Sequence, residues 1–154
     1  MDQSARHAAL ERLDAFVGAW TLEVVFPNHP TEVLRGGRSV FEWMKGRQLL
    51  VQRTEVPAPE FPDSITIIAL DPEKEAYIQH YFDARGVIRL CAMTVRDGVW
   101  TLLRDSPDFS PLDFAQRFTG TFCDNGDTIR GTWAKSNDGS NWQTDFDLTY
   151  RRVN

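Results

Sequence analysis

The sequence predicts an all-β protein: a single closed up-and-down antiparallel β-barrel of about ten strands with a short N-terminal helix. The first observation behind this prediction is that stretches of alternating apolar and polar residues recur along most of the chain, as in strands with one buried face. The second is a series of turn signals between them, at Lys45-Gly46, Asp71-Pro72, Arg85-Gly86, Asp97-Gly98, Asn125-Gly126 and Asp138-Gly139. Asn-Gly and Asp-Gly pairs supply the positive φ angles that a tight hairpin turn needs.

The elements are predicted in chain order from the period of the pattern. Between Ser4 and about Ala15 the apolar residues lie near helical spacing, which predicts a short amphipathic helix: Ala8, Ala9, Leu13 and Phe16. From Gly18 the period becomes two, and ten strands are predicted at about 18–27, 31–45, 47–56, 63–71, 75–83, 87–96, 98–105, 114–124, 127–137 and 141–152. Gly36-Gly37 indicates a bulge or sharp bend in the second strand.

Closure of the sheet follows from its edges. Ten sequential strands joined by tight turns would leave two exposed edges, and pairing of the last strand with the first removes both. Residues 1–17 are predicted to form a helix packed on the barrel and residues 18–152 the barrel, in one domain overall. A barrel of this size has room inside for a small ligand.

The composition argues against some classes of binding partner. A net charge of −5 without a Lys/Arg cluster argues against nucleic acid, because phosphate binding requires a basic surface. The N-terminal residues lack the apolar core of a secretion signal and no apolar run is long enough to span a bilayer, so we expect a cytoplasmic protein without membrane insertion. Cys91 and Cys123 lie in predicted strands without metal-ligand spacing and are expected to be reduced thiols. The sequence predicts no cofactor and no metal site.

The two ends of the predicted barrel carry a family resemblance. Gly18-Ala19-Trp20 opens the first strand, and Tyr150-Arg151-Arg152 closes the last. This arrangement resembles the calycin group of lipocalins and fatty-acid-binding proteins, in which a Gly-x-Trp meets a basic residue of the last strand across the indole. The resemblance implies that Gly18 and Trp20 close the barrel together with Arg151 or Arg152, and we assign the role to Arg151. A cation over an indole contributes about 0.5–2 kcal/mol.

The C-terminal half is similar to bacterial lipocalin-like families of unknown function. The similarity rests on Tyr81–Val87, Phe118-Thr119-Gly120, Gly131-Thr132-Trp133, Asp138-Gly139, Trp142 and Tyr150. The Gly-x-Trp is also distantly similar to nitrobindin, a haem barrel with a Gly-rich first strand and a late axial histidine. Here Thr21-Leu22-Glu23-Val24 replaces the Gly-rich part and no histidine follows His80, so the resemblance implies the fold and disfavours haem.

Side-chain directions follow from the turns, because a two-residue loop fixes which residues face each other. With Asp97-Gly98 as a loop, Met93 faces Leu102. With Ala84-Arg85 as the preceding loop, His80 faces Arg89. One face is bulkier and is predicted to point inward: Ile78, His80, Phe82, Val87, Arg89, Cys91, Met93, Val95, Trp100, Leu102 and Arg104. The opposite face is half apolar and predicts a homodimer packed sheet on sheet: Tyr77, Gln79, Tyr81, Ile88, Leu90, Thr94, Thr101 and Leu103.

The inward cations predict the ligand. A buried guanidinium needs a carboxylate partner, so we predict a small apolar or amphipathic, anionic ligand whose head meets Arg89 or Arg104 and whose body lies on the tryptophans. The predicted ligand-binding residues are His80, Arg89, Arg104, Trp100, Met93, Phe118 and Trp133.

Other interpretations stay open at this point. The two arginines could instead pair with Asp83, Asp105 or Asp108 at the rim. An isomerase or cyclase would use His80 or Asp83 as its proton carrier, although no catalytic residue is assigned and the sequence favours a binding protein over an enzyme. A haem barrel, or an interaction module with a filled core, completes the alternatives.

Overall fold

The barrel closes through its first and last strands. The structure is a computed structural model that describes residues 2–154. Helix α1 (Gln3–Glu11) continues as a 3-10 turn (Arg12–Phe16). Ten strands follow: β1 (Gly18–Val25), β2 (Leu34–Trp43), β3 (Leu49–Glu55), β4 (Ser64–Leu70), β5 (Tyr77–Asp83), β6 (Ile88–Arg96), β7 (Val99–Arg104), β8 (Ala115–Cys123), β9 (Thr128–Ser136) and β10 (Gln143–Arg152). Consecutive strands pair antiparallel and β1 pairs with β10, which confirms the predicted fold class.

The N-terminal segment closes one end of the barrel. Asp2 caps α1 through its side chain, and Ala9 O accepts a hydrogen bond from the Tyr77 hydroxyl at 2.7 Å. The α-helix ends at Glu11, earlier than the predicted Ala15, because a 3-10 turn takes over. Its three-residue period places Leu13 and Phe16 on one side, and both are fully buried. The Phe16 ring packs against Phe41, Trp100 and Phe122 at centroid distances of 5.3, 4.8 and 5.2 Å.

The residue that closes the seam is Arg152. Its guanidinium lies 4.1 Å above the Trp20 ring and donates to Val17 O at 2.6 Å. Gly18 has a φ of +126°, and a Cβ there would lie 2.9 Å from the Arg152 guanidinium, so glycine suits the position on both counts. Arg151 instead donates to Glu23 at 2.8 Å. The assignment of closure to Arg151 is therefore wrong by one residue, because alternation turns consecutive side chains to opposite faces.

Two glycine positions shape the sheet. The predicted bend at Gly36-Gly37 is confirmed: Leu22 pairs with Gly37 and Glu23 with Arg35, so one residue of β2 is left over. A Cβ at Gly131 would collide with the Phe118 ring, and the absence of a side chain on β9 lets that ring lie flat across the strand.

Neither a disulfide bond nor a grouped set of metal ligands holds the described residues together. Cys91 and Cys123 are both free, and burial raises the pKa of the Cys91 thiol to about 11, which keeps it protonated at neutral pH. Within residues 2–154, no three His, Cys, Asp or Glu side chains are grouped as a metal ion would require. In the same residues no helix combines the length and apolar content needed to cross a bilayer.

Candidate functional site

A cavity of about 170 Å³ lies inside the barrel, between the aromatic cluster around Phe16 and the end opposite α1. At its outer end it reaches the β3–β4 connection through Val56, Phe61 and Pro62. The rest of its wall comes from inward residues of eight strands: Leu22, Val24, Gln52, Thr54, Ser64, Thr66, Gln79, Tyr81, Trp100, Leu102, Phe118, Trp133, Phe146, Leu148 and Tyr150. Among the residues that the structure describes, none that lines this cavity carries a formal charge.

Aromatic rings form one wall of the cavity. The Trp100 ring packs edge-on against Phe118 at 4.8 Å, and Phe118 contacts Trp133 at 5.2 Å. Tyr150 lies 5.7 Å from Trp100 on the other side. Pairs at these distances and angles restrain one another, so the wall presents a fixed apolar surface.

A short polar network adjoins the Tyr150 ring of this wall. Gln52 donates through Nε2 to Ser39 Oγ at 2.9 Å and to the Tyr150 hydroxyl at 3.3 Å. Ser39 in turn shares a hydrogen bond with Thr54 at 3.0 Å. Burial raises the pKa of Tyr150 to about 12, so its hydroxyl keeps its proton at any physiological pH. This wall therefore offers neutral hydrogen-bonding groups.

One donor in the cavity wall is unsatisfied. Trp100 is 1% exposed, and its indole Nε1 is the buried side-chain nitrogen or oxygen that lacks a hydrogen-bond partner within residues 2–154. Buried polar groups are nearly always paired in native proteins, so such a group calls for an explanation.

The predicted register between β5 and β6 is wrong by one residue. The loop contains three residues, Ala84 to Gly86, closed by the hydrogen bond from Asp83 N to Val87 O at 3.1 Å. Gly86 has a φ of +85°, as the third residue of such a loop requires. Gly86 was the signal for a three-residue loop, whereas the prediction assumed a loop of only Ala84 and Arg85.

The corrected register exchanges the two faces of β5. Tyr81 pairs with Arg89 and His80 with Leu90. Gln79 and Tyr81 consequently line the cavity, and His80 lies on the outer face. A one-residue slip moves every side chain of a strand to the other face, which explains why the error reached His80.

Arg104 shares the inward face of β7 with Trp100 and Leu102, as predicted, but it is neutralised by its own chain. Its Nε and Nη2 donate to the two oxygens of Asp108 at 2.8 and 3.0 Å, and both side chains are 3% exposed. The hydrogen bond from Arg104 lowers the pKa of Asp108 well below its usual range, aided by the backbone N–H groups of Leu90 and Ser110. The pair leaves no free cation for a ligand.

Arg89 is also occupied. Its Nη1 donates to Gln116 Oε1 at 2.8 Å, and its guanidinium lies 5.8 Å from the Phe114 ring. Of the seven predicted ligand-binding residues, the cavity brings together Trp100, Phe118 and Trp133. Met93 is fully buried but lies outside the lining. The placement of His80, Arg89, Arg104 and Met93 at the ligand is thus not supported by the geometry.

The mouth of the barrel holds a further polar group. The Tyr81 hydroxyl donates to Asp83 at 2.8 Å, and Arg85 donates to the same oxygen at 2.7 Å. Burial alone would raise the pKa of Asp83, but the hydrogen bonds from Arg85 and Tyr81 outweigh it and lower the value to about 2. Asp83 is therefore an anchored anion at neutral pH.

Sequence reasoning missed the cavity residues of β3 and β5 and the polar role of Tyr150. Gln52 lies two residues from Leu50 and from Thr54 on β3 and so shares their face, and that spacing could have marked it as inward. Its partner Tyr150 is 98 residues away, so no local pattern could have paired them.

Comparison with known proteins identifies a similar fold but assigns no function. No family model and no curated protein matches the chain. The crystal structure of Rv2717c from M. tuberculosis is similar over 95% of this chain and 98% of that one, with a TM-score of 0.60 and 15% sequence identity. A Nostoc punctiforme protein of unknown function from the DUF3598 family aligns over 94% and 99% at 10% identity, with a TM-score of 0.29 too low to carry an argument. At such identity the likeness shows a shared barrel fold, and the lipocalin-like assignment stays a prediction.

Proposed function

We propose that the barrel binds a small, uncharged and largely apolar molecule in its cavity. The observation that carries the proposal is a hollow of about 170 Å³ whose lining, in the described chain, is aromatic, aliphatic or neutral polar. Ligand sites combine a mostly apolar wall with a few placed polar groups, as this one does. The volume also argues against the interpretation of a filled core.

The predicted anionic ligand is revised to a neutral one. A carboxylate placed among these side chains would leave water without meeting a counter-charge, which costs several kcal/mol. Arg104, the predicted counter-charge, already holds Asp108 at 2.8 Å. A neutral molecule avoids this penalty.

The cavity volume sets the size of the ligand. A cavity of about 150 Å³ lined by apolar side chains accommodates a benzene molecule, so about 170 Å³ suits one ring with one or two additional heavy atoms. Burying about 150 Å² of a ring's apolar surface contributes about 4 kcal/mol, which corresponds to a Kd of about 1 mM before any polar contact. Weak binding of small aromatic probes is therefore the expected signature.

Titration of the protein with ethylbenzene, followed by amide NMR shifts, tests the proposal. We expect saturable shifts at the cavity residues with a Kd of about 1 mM. Leu148→Trp fills the cavity and should abolish the shifts, whereas Thr149→Trp places the same ring on the outer face of the same strand and should preserve them. Absence of binding to the wild-type protein up to the solubility limit of the probe would overturn the proposal.

No residue is positioned to support the other predicted functions. His80 lies outside the cavity, and Asp83 is held as an anion by Arg85 and Tyr81. Neither is positioned as the proton carrier of an isomerase or cyclase. Among the described lining residues there is no histidine to serve as the axial ligand that the haem alternative requires. A cytoplasmic location stays a prediction.

We also propose a homodimer, through a corrected outer face. The outward positions of β4, of β5 and of β6 as far as Ala92 form an apolar face with one ionisable side chain, that of His80: Ile65, Ile67, Ala69, Ile78, Phe82, Ile88, Leu90 and Ala92. The outward positions of β8 to β10 are polar instead, among them Arg117, Thr119, Arg130, Thr132 and Asp147. At roughly 32 Å² a position, the apolar face covers about 300 Å² on each copy, which is enough to mark an interface and small for a tight one.

A weak dimer is therefore expected in sedimentation equilibrium, dissociating over the micromolar range. Phe82→Asp, on the exposed apolar face, should yield monomers. Thr119→Asp introduces the same charge on the polar side and should leave the association unchanged. A wild-type protein that is monomeric at several hundred micromolar would exclude this dimer.

A further inference from the structure

An unpaired carboxamide lines the cavity from β5. Gln79 is one of the lining residues and is only 4% exposed. Its two neighbours on the same face of the strand have partners. The Tyr77 hydroxyl donates to Ala9 O at 2.7 Å. The Tyr81 hydroxyl donates to Asp83 at 2.8 Å. The side-chain amide of Gln79, between them, makes no hydrogen bond within residues 2–154.

Both polar atoms of this amide are within reach of a molecule in the cavity. Among the described residues, the side-chain nitrogen or oxygen that is both unpaired and sealed from any probe the size of water is Trp100 Nε1. The Gln79 Oε1 and Nε2 atoms are unpaired but are not sealed in this way. Because the side chain is inward and otherwise buried, the surface that these two atoms keep lies in the cavity.

The recognition chemistry of this amide does not depend on which way the group is turned. A carboxamide carries a carbonyl acceptor beside an N–H donor, and exchanging the two positions still presents one of each. Glutamine uses this edge to bind adenine through two hydrogen bonds, one donated and one accepted. Leaving either group of a buried amide unpaired costs free energy. The best partner for Gln79 therefore brings a donor and an acceptor side by side.

The barrel places the polar and aromatic sides of the cavity half a turn apart. In the closed order of ten strands, β4 and β9 are five strands apart in either direction, and so are β5 and β10. Thr66 of β4 and Gln79 of β5 line the polar side. Trp133 of β9 and Phe146 of β10 line the aromatic side. A ligand that meets Gln79 with a polar edge thus extends its apolar body toward the rings.

We propose that the ligand carries a cyclic secondary amide, whose N–H and C=O pair with the Gln79 carboxamide through two hydrogen bonds. This inference rests on the proposed binding function and deepens it. An open-chain secondary amide is almost always trans, so its N–H and C=O point in opposite directions. A small ring forces the cis form and holds both groups on one edge. Such a ring is neutral, which suits a lining without formal charge.

The test compares ε-caprolactam with cycloheptanone, a ring of the same size in which CH₂ replaces the N–H. Their Kd values are measured by NMR titration for the wild-type protein and for Gln79→Met, whose side chain has a similar length and no amide. We expect the preference for the lactam over the ketone to fall about tenfold in the variant, because one hydrogen bond is lost. Thr54→Val removes a cavity hydroxyl that already pairs with Ser39 and should keep the wild-type preference.

A second readout needs no substitution. The side-chain carbonyl carbon of Gln79 should move downfield when ε-caprolactam binds to the wild-type protein, because the amide oxygen accepts the lactam N–H. It should stay in place with cycloheptanone, which has no donor.

The stability of Gln79→Met tests the premise. Since the fold makes no hydrogen bond to this amide, its thermal midpoint should equal or exceed that of the wild type. A lower midpoint would show that the amide is needed by the fold and would overturn the inference.

The outcomes separate this inference from the proposed function. If ethylbenzene, ε-caprolactam and cycloheptanone all fail to bind, the binding function itself fails. If ethylbenzene binds but the lactam does not, the amide serves only to hold water and the lactam assignment is overturned. An equal lactam preference in the wild type and in Gln79→Met, with no movement of the Gln79 carbonyl signal, would overturn it as well. So would an equal loss of preference in Thr54→Val, since general polarity of the wall would then explain the effect.

Discussion

Replacing Asp108 with asparagine is expected to lower the free energy of unfolding by about 3–5 kcal/mol, because it leaves Arg104 charged and buried without its counter-ion. Both side chains of the pair are 3% exposed, and the guanidinium donates to both carboxylate oxygens. Urea denaturation at pH 7 measures the loss. Asp105→Asn removes the same charge from an exposed position in the same loop and should change stability by less than about 0.5 kcal/mol. A loss below about 1 kcal/mol for Asp108→Asn would contradict this account.

The same pair predicts a dependence on pH with a defined sign. The pKa of Asp108 lies below its unfolded value of 3.8, so the folded state binds the proton less tightly than the unfolded state does. The stabilisation is therefore fully present above that value and is lost as the pH falls toward the folded pKa. Thermal unfolding between pH 7 and pH 2 should show the wild type losing more stability than Asp108→Asn, so that the two curves converge in acid.

Phe16→Ala is the second substitution with a large expected effect, about 3–5 kcal/mol of unfolding free energy. The ring is fully buried between Phe41, Trp100 and Phe122, and its removal leaves a cavity at the closed end of the barrel. Phe109→Ala is the matched control, since Phe109 is 69% exposed and should contribute less than about 0.5 kcal/mol. Chemical denaturation of the two variants gives the comparison.

Phe16 also contacts a residue of the binding site. The Phe16 ring makes a T-shaped contact with Trp100, a residue that lines the cavity, at a centroid distance of 4.8 Å. If Phe16→Ala is folded, ethylbenzene should bind to it with altered affinity and raise its thermal midpoint, because ligand binding to the folded state alone stabilises that state. If Phe16→Ala were as stable as the wild type, packing of the N-terminal turn would not contribute to the stability of the barrel.

Local signals explain which parts of the site could be predicted. The Asp97-Gly98 turn is two residues long, so the pairing of Met93 with Leu102 follows from it and is confirmed. The turn after β5 contains three residues, and the single-residue difference reversed the faces of that strand. Register is therefore as predictable as the length of the loop that sets it.

The charges of the site were not predictable in the same way. The sequence indicates that Arg104 is inward, but the presence of Asp108 against it depends on how the long β7–β8 connection folds back. That connection contains no regular strand or helix, and its path is set by the hydrogen bonds that Asp108 accepts from Leu90 N and Ser110 N. Asp108 was one of three candidate carboxylates in the sequence, and only the fold selects it.

The sequence by itself determined the number and order of the strands, the closure of the sheet and the aromatic wall of Trp100, Phe118 and Trp133, because alternation and turn type act over a few residues. Only the tertiary structure decided that the cavity is uncharged, that Gln52 meets Tyr150, and that the Trp100 indole is left with an unused donor. These features depend on side chains that are distant in sequence and meet only after the barrel has closed.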